Sequence, residues 1–272
     1  MPVGIAVEIL LDSFRDFVEH PASDDAGTGR IFCRIASALS RFDESVAFAY
    51  LPHRPPMHLF STFSSADFRI FVADYQAGPY VLDPFCQAAL ERRSGLLRMR
   101  QLAPDRFYAS EYFRSYYTST KLAEEIGYFV PLPDEATVVL SLMRRRASGS
   151  FPAREIARLA PAEPLVAALV RRGWSGIAGR FGDDAGPAPK RASSDGQDWS
   201  RLNLTSRETS IVEMVLRGHS SEAIALRLGI STGTVKVHRR NVYRKLGISS
   251  QTQLLSVYLR NFAADRWDAG QR

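Results

Sequence analysis

Between residues 205 and 248 the chain opens three successive runs on a hydroxyl and closes each on a glycine: Thr205 to Gly218, Ser220 to Gly229, and Ser231 to Gly247. No other stretch restricts the fold as strongly. A hydroxyl at a helix start accepts an orphan amide of the first turn, and glycine adopts the left-handed conformation that stops a helix. Thr205 with Glu208 adds a capping box, hydroxyl to the N3 amide and carboxylate back to the cap amide. Ile211, Val212, Val215 and Leu216 then share one helical face. The second run carries Ile224, Ala225 and Leu228, and Ala225 is small enough to let another helix cross closely. In the third run Val235, Val242 and Leu246 recur at steps of seven and four and face inward. Lys236, His238, Arg239 and Arg240 occupy its remaining faces. Ile230 fills the corner before this helix and Ile248 tucks under its end. Thr252 to Phe262 reads as a fourth helix, with Leu254, Leu255, Val257 and Tyr258 apolar. Two helices joined by a tight glycine turn, the second basic and outward facing, make a helix-turn-helix. Its second helix fits a DNA major groove, about 12 Å wide.

The charge is distributed to match. Residues 201–262 hold ten Lys/Arg against three Asp/Glu, a net of +7, within a chain whose total is +6. Residues 1–189 hold 21 basic and 22 acidic residues. A basic module joined to a neutral one points to a polyanionic partner for the C-terminal part. Residues 182–200, GDDAGPAPKRASSDGQDWS, keep no apolar period and read as a flexible linker. The expected division is residues 1–181, an α/β sensor or dimerisation domain; 182–200, linker; and 201–272, a small all-α helix-turn-helix domain of four helices.

LTSRE, EAIALRLGIS and TVKVHRRNVYRKLGI, in that order, closely resemble the DNA-binding domain of LuxR-type transcription regulators. One departure is Ala223, where family members often carry an acid that completes the cap of the second helix. The resemblance implies that Lys236, Val237 and Arg240 lie along base edges. Thr234, His238, Arg244 and Lys245 are implied at phosphates, and Arg239 at either. Arg and Lys donate to guanine O6 and N7, while hydroxyls and imidazoles suit phosphate oxygens. For any one of these residues, simple solvation is the competing reading. His238 has no Cys or His neighbour that would make it a metal ligand, and no metal is expected.

The first 181 residues alternate between helix and strand patterns. Helical spacing runs over about 4–19, 28–41, 84–92, 108–123 and 152–171. Strand-like runs are SVAFAYL at 45–51, FRIFVADY at 68–75, EIGYFVPL and ATVVLSLMRR. The last two, split by Pro133 and Asp134, read as an antiparallel hairpin. Strands between helices indicate an α-β-α sandwich of PAS or GAF type. YQAGPYVLDPFCQAA followed by EIGYFVPLPDEATVVLSL is similar to the autoinducer-binding domain of LuxR-type quorum sensors, sharing Tyr75, Asp83-Pro84, Gly127 and Pro131. That family's aspartate accepts a hydrogen bond from the ligand amide. Residues 1–173 contain no Trp, which the family uses to hold a lactone, so a different small molecule in the same pocket is implied. Candidate pocket residues are Phe71, Tyr75, Tyr80, Asp83, Tyr128 and Phe129. Each is equally readable as core, and Asp83 as a helix cap. The aromatic run RFYASEYFRSYY, residues 106–117, lines either the pocket or an interface.

Other classes find little support. There is no phosphate-loop glycine pattern, no HExxH zinc pair and no GxSxG elbow, so an enzyme is not expected. His53 and His58 read as residues of a Pro-rich surface loop. Arg144-Arg145-Arg146 reads as a solvated strand end. Asp24-Asp25 follows a helix rather than a strand, which disfavours a phosphorylation pocket. Cys33 and Cys86 make no metal or disulfide framework and suit buried thiols in a reducing cytoplasm. No apolar run reaches the roughly 18 residues of a membrane span, and the acidic N-terminus lacks a basic leader. The expectation is a cytoplasmic, homodimeric regulator that binds an inverted-repeat operator in double-stranded DNA. A small-molecule effector and RNA polymerase are its further expected partners, and no cofactor or membrane is. The alternative keeps DNA binding but makes the N-terminal domain a ligand-free oligomerisation or protein-interaction module.

Overall fold

The computed structural model of the chain describes residues 24–115, 117–183 and 202–262, together with single helical positions at 11, 12, 15, 17 and 19. The helix expected over 4–19 and the linker over 182–200 therefore lie largely outside the described residues. Asp24 starts the first full helix, α1 (Asp25–Leu39), by accepting the Gly27 amide at 2.6 Å. β1 (Glu44–Tyr50) and β2 (Met57–Ser61) follow as an antiparallel pair. Next come α2 (Pro84–Leu90), β3 (Gly95–Arg98) and a short α3 (Glu111–Ser115). β4 (Leu122–Pro131) and β5 (Thr137–Arg145) form the expected hairpin, pairing from Pro131–Thr137 to Leu122–Arg145. The sheet order is β2-β1-β5-β4-β3, antiparallel throughout. Three helices, α4 (Ala153–Leu159), α5 (Glu163–Gly173) and α6 (Ile177–Asp183), complete the N-terminal part.

The strand period of two explains the layers. Ile126, Tyr128 and Val130 on β4, with Val138, Leu140 and Leu142 on β5, meet Phe32 and Ile35 of α1 and Val166, Leu169 and Val170 of α5 in one apolar core. Phe129 points the other way, where the Phe85 ring of α2 meets it edge-on at 5.1 Å. Gly127 sits beneath that ring, and a Cβ there would lie 3.0 Å from Phe85 and Val139. With helices on both faces, the N-terminal part is the α-β-α arrangement read from the sequence.

Four expectations are corrected. FRIFVADY is helical, continuing from Ser64 through a π-helical turn at Arg69–Ala73 to Gln76. Phe68, Phe71, Val72 and Tyr75 recur at i, i+3, i+4 and i+7, and this spacing prevails over the local alternation. The segment 108–123 is not one helix: short turns at Phe107–Ala109, Glu111–Ser115 and Tyr117–Thr120 lead into a strand from Leu122. His58 lies on β2 rather than in a loop, its ring edge-on to Phe48 and Phe68. Arg144 is buried, not solvated, because Glu155 and two backbone carbonyls receive its guanidinium. Asp24 and Asp25 are likewise structural: the first caps α1, and the second accepts from Trp174 Nε1 and Arg180. Cys33 is half-buried and Cys86 buried, neither in a disulfide; burial pushes the Cys33 thiol up to about 11.

The chain forms two compact units. One gathers the described residues of Met1–Val72, Phe85–Leu102 and Lys121–Gly186; the other gathers those of Ala73–Pro84, Ala103–Thr120 and Pro187–Arg272. The second contains α7 (Ser206–Arg217), α8 (Ser221–Leu228), α9 (Thr232–Leu246) and α10 (Gln251–Phe262). Thr205, Ser220 and Ser231 cap the first three, and Gly218, Gly229 and Gly247 end them at φ of 94°, 63° and 65°. Ile211, Val215, Ile224, Val235, Val242, Leu254 and Tyr258 are buried between them.

Candidate nucleic-acid interface

The turn from α8 to α9 is closed by the Ile230 amide, which donates to the Ala225 carbonyl at 3.0 Å. Val235 and Val242, both fully buried, then hold α9 by one face. On the opposite face Lys236, Arg240 and Arg244 follow one another at steps of four, all exposed. Val237, beside them, keeps 47% of its surface in solvent. No acid stands in the first turn of α9, and Arg244 and Lys245 stand in its last. The result is a cationic face with one apolar side chain, carried on a helix anchored from behind. Chemically, such a surface can donate to phosphates and guanine edges, and an exposed valine can meet a thymine methyl.

Three of the remaining interface candidates, Thr234, Arg239 and Lys245, have intramolecular duties. Thr234 Oγ1 lies 2.8 Å from Ser231 Oγ at the helix start. His238 and Arg239 are half-buried, and Arg239 Nη1 reaches Ser221 Oγ on α8 at 3.4 Å. Lys245 departs most from a free phosphate ligand. Its ammonium donates to Glu208 Oε2 at 2.6 Å and to the Asn203 carbonyl at 3.1 Å, which leaves one N–H. Glu208 is also the capping-box carboxylate, accepting the Thr205 amide at 2.9 Å. Burial pushes its carboxyl up, but Lys245 and Thr205 outweigh this and hold it below the usual range. Lys245 therefore ties the end of α9 to the start of α7. Nothing in the spacing announces a pair 37 residues apart.

The ligand candidates divide. Tyr75, Tyr80 and Asp83 come together: Tyr75 Oη donates to Asp83 Oδ2 at 2.7 Å, and the two tyrosine rings meet edge-on at 6.2 Å. Asp83 is 7% exposed, an uncommon burial for a carboxylate. Phe71 stacks on Phe63 at 4.6 Å. Tyr128 and Phe129 face opposite sides of the sheet, so one face holds only one of them. Tyr128 is engaged in the helix-side core, its hydroxyl donating to the Leu159 carbonyl at 2.7 Å, and burial pushes that hydroxyl well up.

An anchored basic helix preceded by a tight glycine turn defines a helix-turn-helix DNA-binding protein. Residues 202–258 match the family described as bacterial regulatory proteins, luxR family. An HTH-type transcriptional regulator of the exeN 3′ region in Aeromonas salmonicida is 32% identical over 184 residues, spanning 65% of this chain and 93% of that protein. The chain belongs to the luxR family of bacterial transcription regulators and is not an enzyme. The response regulator TodT of Pseudomonas putida is 46% identical over 55 residues, 20% of this chain and 24% of its own. Among solved structures, the VqsR LBD domain of Pseudomonas aeruginosa is 26% identical, covers 62% of this chain and 94% of that one, and has a TM-score of 0.48. Escherichia coli SdiA is 19% identical over 94% of this chain and 95% of its own, with a TM-score of 0.44. Among the described residues no helix is long and apolar enough to cross a membrane.

Proposed function

We propose that the chain is a sequence-specific operator-binding regulator whose DNA affinity is set by a small effector held in its N-terminal part. The observation that carries the DNA reading is the exposed row Lys236, Arg240 and Arg244 on a helix anchored by Val235 and Val242. In this reading Lys236, Val237 and Arg240 meet base edges, Thr234, His238 and Arg244 meet phosphates, and Arg239 meets either. Lys245 contributes at most its last N–H. Residues 201–272 act as the DNA-binding domain and residues 1–181 as the sensor. The protein works in the cytoplasm as a homodimer on an inverted repeat, because a two-fold protein matches a two-fold site.

Binding of the full chain to an inverted-repeat duplex tests this. Affinity is expected to fall at least about ten-fold between about 50 and 200 mM salt, the response of two neutralised phosphates. A flat salt response rules the interface out.

The effector reading rests on the buried Tyr75–Asp83 pair. The pair is a buried polar point beside the Tyr80 ring, so the expected ligand is a small, largely apolar molecule whose N–H or O–H donor orients on Asp83. In a thermal-shift screen of the full chain against acyl-homoserine lactones and other acyl amides, a concentration-dependent rise in Tm is expected. Asp83→Asn and Tyr75→Phe should each diminish it. The filled helix-side core, with Phe32, Ile126, Tyr128 and Leu140 at most 1% exposed, favours a ligand-free interaction module for that face. No rise with any amide moves the assignment to that second reading.

A further inference from the structure

The β3–β4 connection, which carries the aromatic run left open by the sequence, packs with the helix-turn-helix helices. α3 lies against α7 and α10. Phe107 is fully buried and ringed by Tyr108, Tyr112, Phe113 and Tyr117, at centroid distances of 5.4–6.1 Å. The Arg106 amide donates to the Gly218 carbonyl at 2.9 Å. A Cβ on Gly218 would lie 2.7 Å from Phe107 Cα, so this approach, as well as the φ of 94°, requires glycine. One residue earlier, Asp105 Oδ1 accepts the Ser220 amide at 3.0 Å.

Ser220 is the N-cap of α8. Its hydroxyl accepts the Ala223 amide, but Ala223 at N3 has no carboxylate to return to the Ser220 amide. In α7 that return bond is made locally, by Glu208 to the Thr205 amide. In α8 it is made by Asp105, 115 residues earlier in the chain. Ser220 is 8% exposed, so without Asp105 its amide would be buried without a partner. Burial raises the Asp105 carboxyl, but the Ser220 bonds outweigh this and hold it below the usual range, keeping the acceptor charged.

We infer that Asp105 is a positioning residue for DNA binding: it completes the capping box of α8 from outside the helix-turn-helix and makes the β3–β4 connection a latch on that motif. The α8 N-terminus also meets α9 through Ser221 and Arg239, so the latch bears on the recognition helix. When the connection is docked, α8 is fully capped and DNA binding is favoured. When it leaves, the first turn frays. The device links a loop of the α/β sheet to the DNA-binding helices without requiring a new contact to DNA. Its consequence for affinity rests on the DNA reading above, whereas the capping itself does not.

Amide hydrogen exchange on the full chain tests it. Asp105→Ala is expected to lower protection at residues 220–224 by about five- to thirty-fold, the loss of one helix cap, and to weaken duplex binding in proportion. Ala223→Glu, added to Asp105→Ala, supplies the carboxylate locally and should restore both. Unchanged protection in Asp105→Ala overturns the proposal, as does a double variant that stays as frayed as the single one. Altered protection in a chain whose wild type binds no duplex sinks the DNA reading and leaves the latch standing.

Discussion

Lys236→Ala and Arg240→Ala are expected to bind operator DNA with relaxed sequence preference. Each should lose about 1–3 kcal/mol of discrimination at one base pair, about five- to 150-fold. Both side chains are exposed on α9, and the valines that hold the helix lie on its other side, so the fold should not suffer. Arg244→Ala separates the roles. Because Arg244 is a proposed phosphate ligand, its loss should weaken binding to all sequences alike and reduce the salt slope by about one. The measurement is a dissociation constant at fixed salt for a panel of duplexes differing by single base pairs. Lys236→Ala and Arg240→Ala should flatten the panel, whereas Arg244→Ala should shift it whole. If neither of the first two changes the ranking, the base-reading assignment is wrong.

The helix-turn-helix is legible in the sequence because its information is local. Thr205 with Glu208, Ser220 with Gly229 and Ser231 with Gly247 are signals spaced within one helix, and each appears at the expected boundary. The β4–β5 hairpin is legible for the same reason. FRIFVADY misleads because an amphipathic helix and a short strand compete within eight residues. Phe68, Phe71, Val72 and Tyr75 reveal the helical period only once Ser64 is recognised as a cap. The distant partners of charged groups are not legible. Arg144 reads as one of three solvated arginines until Glu155 and the Arg41 carbonyl are seen beside it. Lys245 reads as a free cation until Glu208 is placed at its tip, and Ala223 reads as a weakened cap until Asp105 is found making the missing bond. In each case the deciding interaction joins segments whose separation carries no periodic signature. Such interactions follow from the tertiary fold and do not announce it.

Arg144→Ala is expected to destabilise the α/β unit by about 3–5 kcal/mol, because it leaves a buried carboxylate without its hydrogen-bonded cation. Arg144 is 6% exposed. Nη2 donates to Glu155 Oε2 at 2.6 Å, Nε to the Arg41 carbonyl at 2.9 Å and Nη1 to the Ser150 carbonyl at 3.1 Å. Its guanidinium also lies 4.7 Å from the centre of the Phe151 ring. The end of β5 is thus fastened to the chain after α1 and to α4 at once. Replacing both partners, as Arg144→Met with Glu155→Leu, removes the stranded charge and should recover much of the loss, although the Ser40 hydroxyl and Arg41 amide also lose Glu155 as acceptor. Acid gives an independent reading. Burial pushes the Glu155 carboxyl up, while Ser40, the Arg41 amide and Arg144 together hold it below the ordinary range. A depressed folded-state value means that Glu155 stabilises the fold above the ordinary carboxylate pKa and that this contribution is lost as pH falls through the folded value. Arg144→Ala removes one of the lowering influences, so the acid midpoint of unfolding should move to higher pH. Urea unfolding at neutral pH and an acid titration of the same variant measure the two effects. A loss below about 1 kcal/mol, with no movement of the acid midpoint, would mean that water reaches Glu155 as soon as the arginine is gone. The pair would then be a surface bridge rather than a clamp.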